Sequence, residues 1–563
     1  MSRRASFVLL AALGVGVFLT GLELMVTAVA LPSIIFDMAH RAGIAEIEAW
    51  TQLRRASWIV NGYLLVYVAT MPIAGRLADL WGTRRLFLGA LVTFALGSLL
   101  AGAAQSLDGL IAARAIQALG GGALVPVATA AAAHLYEGHS RPRALGTIGA
   151  LTFLGMAAGP FVGAALLGSI HAQSALANAG QTSGSLVDLL APAWRWVFYI
   201  NVPIALVALV FAWAASAGWE TPRQAARIDL PGAVAFTLGL GAILVGLTLL
   251  GSPADGRQLG LSTQTLIAIL LAFGLGGLAV AVLAGLRRRD SFIDLRLFRQ
   301  PAFAAAAAVS ALTGYAFATA IIGAAVFVDR VLYGGPAEQQ VVLGSLAAAT
   351  AVGALVSGFG VRHWSLRAVT LVGLATSIAG LLIMASWTPG TSIQAAALAV
   401  TLFGLGFGLT VTPRSTAAVE AAGRAAFGMA SATVTVARMI GMAVGLAVLT
   451  AYGSTTIDAL NARLNASPDA FRAFVPPALA GRPLDDGLVV QALERWAAGE
   501  ASRIMIGLFV VAAIVILAAV PPALALGDRR AGMLARGSGP SDDDKGGERA
   551  RDGGDERAAT LAL

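Results

Sequence analysis

The sequence predicts an all-α membrane protein with fourteen transmembrane helices, and three observations carry that expectation. Of 563 residues, 58% are hydrophobic and only 12% charged, against roughly a quarter charged in soluble domains. Apolar runs of about 20 residues, long enough to cross a bilayer, recur from one end of the chain to the other. The basic residues collect in alternate connecting segments, as the positive-inside bias of membrane proteins requires.

The runs fall at 7–33, 57–75, 86–104, 108–133, 144–170, 195–217, 231–250, 263–286, 301–328, 341–361, 368–387, 394–413, 428–452 and 503–526. The first follows Arg3 and Arg4 and ends in Ala28-Val29-Ala30, which imitates a secretory leader. It is longer than the apolar core of such leaders, so it is expected to stay attached as helix 1. The second and third flank a charged turn with Asp79, Arg76, Arg84 and Arg85, and the fourth and fifth are rich in Gly and Ala. The sixth begins in an aromatic cluster at Trp194–Tyr199. The seventh and eighth are free of charge, and Arg287–Arg289 follow them. Five more runs lead to a long polar segment, 453–502, read as an external loop, before the last span. Residues 527–563, with Asp542–Asp544 and scattered Gly and Arg, cannot bury apolar area and are expected to be a disordered tail.

With the N-terminus in the cytoplasm, 25 of the 38 basic residues fall on the cytoplasmic side and 11 on the other, four of these in the 453–502 loop. Both termini are therefore expected in the cytoplasm. The formal charge of +8 thus follows topology and does not point to nucleic acid. Cysteine is absent, which excludes disulfides, a thiol nucleophile and thiolate metal sites. The sole lysine, Lys545, lies in the tail, so no Gly-Lys-Ser/Thr loop is available to cradle ATP. Five histidines form no His-Glu-x-x-His pair, and no strand–turn–helix context supports a serine nucleophile. No catalytic residue, metal or cofactor is expected, and the protein is read as not an enzyme.

Charge inside the spans marks the candidate site. Glu23 is the one acidic residue deep in an apolar run, where a carboxylate costs roughly 2.5–3.5 kcal/mol even on lenient insertion scales. Thr20, Glu23 and Thr27 are spaced i, i+3, i+7 and form one polar stripe that should face a cavity. A proton carrier is the favoured use and a static ion pair the alternative. Arg114 shares a helix face with Gln117, and Arg438 continues a stripe with Ser431 and Thr435. Either arginine could pair with Glu23, and the sequence leaves that choice open. Thr20, Thr27, Gln117 and Thr435 are the expected lining of a substrate cavity. Gly155, Gly159 and Gly163, with Pro160 among them, give helix 5 a smooth face for close helix packing or for a pivot. Gly120–Gly122 read as a packing groove. A weak repeat links Gly75…Trp81…Arg84 to Gly358…Trp364…Arg367, with matching spacing; duplicated halves are a transporter trait.

These motifs carry a resemblance. Gly75-Arg76-Leu77-Ala78-Asp79-Leu80-Trp81-Gly82-Thr83-Arg84-Arg85 resembles the signature loop of the major facilitator superfamily. Arg114-Ala-Ile-Gln117-Ala-Leu-Gly120 resembles its helix 4 motif, and Gly155-x-x-x-Gly159-Pro160-x-x-Gly163 the helix 5 motif of its antiporters. Thr27-Ala-Val-Ala-Leu31-Pro32 and Trp194-Arg195-Trp196-Val-Phe198-Tyr199-Ile-Asn201-Val-Pro203 resemble the fourteen-helix drug:proton antiporters. The run Val436–Gly445 is similar to a bacterial triacylglyceride- and lipoglycan-exporting branch, whose helix 5 acid corresponds here to Phe153.

The resemblance implies two six-helix halves, 1–217 and 301–526, with the helices of 218–300 as an inserted pair, in a bacterial cytoplasmic membrane. It implies alternating access and export of lipophilic or amphipathic compounds, drugs or lipids, driven by a proton gradient. Glu23, Arg114 and Arg438 would couple protons. Gly75, Arg76, Asp79, Gly82, Arg84 and Arg85 would form a cytoplasmic latch, and Gly155, Gly159, Pro160 and Gly163 a helix-packing pivot. A periplasmic lipid-carrying lipoprotein is an implied partner. A proton-coupled nutrient symporter and a non-transporting lipid-binding or sensor protein are the alternatives.

Overall fold

A computed structural model describes residues 3–41, 53–56, 58–170, 172–178, 183–215, 219, 221, 229–249, 257–258, 261–287, 295–464, 474–479, 481–483 and 486–527. The predicted disordered tail, beyond 527, lies outside the described residues. In chain order the long helices are α1 Arg3–Arg41, α2 Trp58–Trp81, α3 Thr83–Ala103, α4 Leu107–Leu135, α5 Ser140–Ser169, α6 Ala193–Ala214, α7 Leu230–Leu249 and α8 Thr263–Arg287. They continue with α9 Pro301–Arg330, α10 Pro336–Gly360, α11 Leu366–Met384, α12 Ile393–Ala422, α13 Phe427–Leu464 and α14 Gly487–Leu517. Among the described residues, thirteen helices are long and apolar enough to cross a membrane. The remaining predicted span, 231–250, is α7, 20 residues long with a shorter apolar stretch at Pro231–Leu247. A two-residue hairpin, β1 Arg257–Gln258 with β2 Leu261–Ser262, joins α7 to α8.

The helices outrun the apolar runs, because hydropathy reads the oil-filled thickness whereas helical hydrogen bonding continues past it. Thus α2 carries Arg76–Trp81, which the hydropathy places in a loop, and α12 carries Arg414 and Glu420. The same effect corrects the long external loop: α13 runs on to Leu464 and α14 starts at Gly487, so helix occupies both ends of 453–502. At the other extreme α6 is broken. Ala193–Tyr199 and Asn201–Ala214 meet at Ile200, and Pro203, without an N–H to donate, sits in the first turn of the second piece, where no partner is required.

Each half supplies most of one apolar core. One gathers Leu9, Leu13, Phe87, Phe94, Leu124 and Ala208, and the other Phe303, Phe327, Leu346, Phe403 and Phe509. The most extensive contacts between the halves are α5 against α10 and α2 against α13, and both use the repeated glycine. A Cβ added at Gly75 of α2 would lie 2.6 Å from the Gly428 carbonyl oxygen of α13. One added at Gly358 of α10 would lie 3.0 Å from the Pro142 carbonyl oxygen of α5. The inserted pair α7–α8 packs mainly on itself, with Gly239 and Gly274 at the crossing. Leaving Phe273, Leu275 and Leu286 of α8 exposed is the signature of a helix solvated by lipid.

Within the first half, the helix 5 glycines meet α1. A Cβ at Gly159 would fall 2.6 Å from the Met25 Cβ and 3.0 Å from the Leu22 carbonyl oxygen. Such contact is closer than atoms tolerate, and overpacking costs about 1–3 kcal/mol. Gly159→Ala should therefore lower the thermal midpoint of the purified protein, measured by intrinsic fluorescence. An unchanged midpoint would show that α1 and α5 do not need this approach.

Candidate functional site

Glu23 lies at the centre of the first half with none of its surface exposed. Four helices converge on it. Its Oε1 pairs with Nη1 of Arg114 from α4 and accepts a 2.8 Å hydrogen bond from Thr27 Oγ1 one turn along α1. Its Oε2 accepts from Nδ2 of Asn201 at 2.5 Å, at the break in α6. Ser98 of α3 ties the outer partners together, accepting from Gln117 Nε2 at 3.0 Å and from Asn201 Nδ2 at 3.2 Å while donating to the Phe198 carbonyl at 2.9 Å.

Arg114 is held as firmly. It donates from Nη1 to Gln117 Oε1 at 2.6 Å and from Nε to the Ile59 carbonyl of α2 at 3.3 Å, and its guanidinium lies 4.0 Å from the centre of the Tyr63 ring. A carboxylate and a guanidinium taken out of water this completely persist only as a paired, fully hydrogen-bonded unit. The sequence left the partner of Glu23 open between two arginines; the geometry selects Arg114. Thr20 donates to the Val17 carbonyl of its own helix, and Thr27 and Gln117 are held inside the network. Of the four expected cavity residues, Thr435 alone lines the cavity described below.

Sequence reasoning missed Asn201 as a partner of the acid and Ser98 as the residue that ties the partners together. Asn201 was visible as a polar residue inside an apolar run, but nothing in a sequence tells which helix it faces. Arg195 was also missed. It is buried and donates to the Gly102 and Ala104 carbonyls at 2.5 and 2.7 Å, satisfying the C-terminal end of α3.

The second cluster closes one end of the bundle across the two halves. Asp79 on the last turn of α2 accepts from the backbone N–H groups of Gly428 and Met429, at 2.7 and 2.9 Å. These belong to the first turn of α13, so the carboxylate caps the unsatisfied, positively polarised start of that helix. Asp79 and Arg76, one turn earlier, are both buried, whereas Arg85 is exposed. Gly82 has φ 88°, a left-handed conformation that lets α2 turn into α3 within one residue. Beside it, Thr83 Oγ1 accepts from Trp219 Nε1 at 2.9 Å. Glu137 pairs with Arg424 at the same end, and His134 and Arg141 pack on the Phe427 ring at 4.6 and 5.2 Å.

A third cluster sits behind this closure, between the halves. Phe153 of α5 meets Phe317 of α9 and Phe407 of α12, each at 5.6 Å between ring centres. Two cations rest on these rings, Arg414 buried and Arg438 half-buried. Arg414 lies 5.1 Å from the centre of Phe407 and donates to Thr313 Oγ1 at 2.6 Å, and Arg438 lies 5.6 Å from the centre of Phe153. The sequence counted Arg414 among loop residues because its apolar run stops at 413; α12 continues to Ala422 and carries the side chain inside. Arg438 lines a cavity of about 50 Å³ whose walls include Thr129, Thr152, Ser415, Ser431 and Thr435.

With this arrangement in hand, comparison with known proteins is consistent throughout. A family model described as Major Facilitator Superfamily matches residues 13–446. Curated relatives include a protein named triacylglyceride transporter from Mycolicibacterium hassiacum, 32% identical over 83% of this chain and 83% of its own. A protein of the same name from Mycolicibacterium smegmatis is 31% identical over 75% of this chain and 72% of its own. Among solved structures, a proton:xylose symporter superposes with TM-score 0.55 at 13% identity, covering 92% of this chain and 97% of that one. A bacterial homologue of the human lysosomal transporter Spinster superposes with TM-score 0.55 at 18% identity, covering 93% and 99%. Helices arranged as two cored halves, a capped helix start between them and a matching family model lead to one assignment: this multi-pass membrane protein is a transporter that belongs to the major facilitator superfamily.

Proposed function

We propose that this chain exports lipids across a bacterial cytoplasmic membrane in exchange for protons, with both termini in the cytoplasm and Glu23 as the proton site. The lipid assignment is supported by the relatives named triacylglyceride transporters. The buried Glu23–Arg114 pair carries the coupling. Ionised, the carboxylate binds together α1, α4 and α6; protonated, it no longer holds the guanidinium, and Arg114 can relax toward Gln117 and the Ile59 carbonyl. A proton thereby changes which helix arrangement is stable, as coupling between an ion and a conformation demands. The closure at Asp79 is then the cytoplasmic latch of alternating access, and the α1–α5 glycine contact its pivot. The work is translocation, with no bond made or broken, no cofactor, and the proton gradient as energy source. An extracytoplasmic lipid-carrying lipoprotein is the natural acceptor, because an expelled lipid is insoluble in water.

The test is flux of a fluorescent triacylglyceride and of a cationic dye in proteoliposomes under an imposed pH gradient, for wild type and Glu23→Gln. Gradient-driven flux of the lipid should fall at least about tenfold in the variant, as expected for loss of a residue acting in the transport step itself. Unchanged flux would remove Glu23 from the coupling mechanism. Flux of the dye alone would replace the lipid assignment with drug export.

A further inference from the structure

Glu23 is charge-compensated, but the cations of the other half are not. Among the described residues no carboxylate pairs with Arg414 or Arg438. Arg414 has a threonine hydroxyl and a phenylalanine face, Arg438 a phenylalanine face. Cation–π contact alone offsets less than it costs to take a guanidinium out of water. The site is therefore electrostatically incomplete as it stands.

The free donors point to what completes it. Among the described residues, Nε of Arg438 and Oγ of Ser431 have no hydrogen-bond partner, and Ser431 is 95% buried, with 5% of its surface exposed. Both residues line the 50 Å³ cavity. The other hydroxyls there are spent within their own helices: Thr129, Thr152, Ser415 and Thr435 donate to the carbonyls of Val125, Ile148, Val411 and Ser431. A water needs roughly 10–15 Å³ by this measure, so the space suits a group of three to five heavy atoms. That is the size of a carboxylate or phosphate, far below a lipid with its chains. The walls come from α4 and α5 on one side and α12 and α13 on the other, so separation of the halves opens the cavity.

We propose that Arg438 and Ser431, with Arg414 adding positive potential behind them, receive the anionic oxyacid group of an amphiphilic cargo, a phosphate or carboxylate whose chains lie outside this pocket. The inference rests on the lipid-export reading and narrows its substrate class from lipids in general to acidic lipids. A neutral glyceride brings ester oxygens that accept hydrogen bonds but no charge to balance two guanidinium groups.

Binding to the full-length protein in detergent micelles, read as ligand-dependent thermal stabilisation, tests this with dioleoyl phosphatidic acid, trioleoylglycerol and inorganic phosphate as probes. Phosphatidic acid should bind at least tenfold more tightly than trioleoylglycerol. Arg438→Gln should lose at least tenfold of that affinity and Ser431→Ala a few-fold. Arg438→Lys should keep most of it, and Arg330→Gln, which removes an exposed cation elsewhere, should keep all. Phosphate that competes with phosphatidic acid in wild type but not in Arg438→Gln would identify the same site for a free anion. Equal affinity for phosphatidic acid and trioleoylglycerol, or an Arg438→Gln variant that binds phosphatidic acid like wild type, would overturn the proposal. If Arg438→Gln fails to fold, the wild-type preference and Ser431→Ala decide it. Gradient-driven flux of trioleoylglycerol without any acidic-lipid preference would sink this inference and leave lipid export standing; absence of flux for every lipid would sink lipid export itself.

Discussion

Arg114→Leu should be the most destabilising single substitution in the first half, by about 3–5 kcal/mol, because it leaves the Glu23 carboxylate buried without its counter-charge. Solvent offers no relief, so the acid left behind is either an uncompensated charge or must take up a proton. Glu23 has no exposed surface, and Thr27 and Asn201 already donate to it. Two hydrogen bonds from neutral groups do not replace a guanidinium in an interior of low dielectric. The diagnostic is the double variant. Glu23→Gln combined with Arg114→Leu removes both charges and should recover most of the stability lost by Arg114→Leu alone, since a buried pair as a whole is close to neutral in energy. Thermal unfolding of wild type, both single variants and the double variant gives the coupling directly. Additive losses would mean that the two charges do not act as a pair.

Asp79→Ala should open the closed end. Its carboxylate makes two charge-assisted hydrogen bonds to the first turn of α13, each worth about 1.5–3 kcal/mol net. Losing even 2 kcal/mol moves a two-state equilibrium by roughly 30-fold, at 1.4 kcal/mol per decade. The chain contains no cysteine, so a single Ser415→Cys substitution in the cavity wall gives a labelling site without background. Maleimide labelling from the Asp79 side should accelerate about 30-fold when Asp79→Ala is added. Equal rates would show that closure does not depend on this cap. Glu137→Gln supplies the contrast. The Glu137–Arg424 pair bridges the same end, but its side chains are 67% and 60% exposed, and such pairs contribute about 0–1 kcal/mol. It should change labelling by no more than about fivefold.

Both outcomes depend on contacts that were unequally legible beforehand. Asp79 and Gly75 stood out in the signature loop, yet what Asp79 holds lies 349 residues away, at backbone groups that carry no side-chain signal. Phe153 shows the reverse case. A phenylalanine where related exporters carry an acid reads as a gap in a relay, whereas the folded chain makes it one face of an aromatic cluster on which Arg438 rests. Arg414 was misplaced because the apolar run ends one residue before it, and only the continuation of α12 to Ala422 carries it inside.

The sequence by itself determined the membrane-embedded, all-helical character, the spans and the rarity of buried charge, since hydropathy and side-chain type are local properties of the chain. It also marked Glu23 as the acid to explain. Folding alone reveals that Arg114, 91 residues away, and Asn201, 178 residues away, are its partners, and that no carboxylate among the described residues pairs with Arg414 or Arg438. Partnership between helices depends on how each is rotated about its axis and where it crosses its neighbours, and those angles are set by packing across the whole bundle.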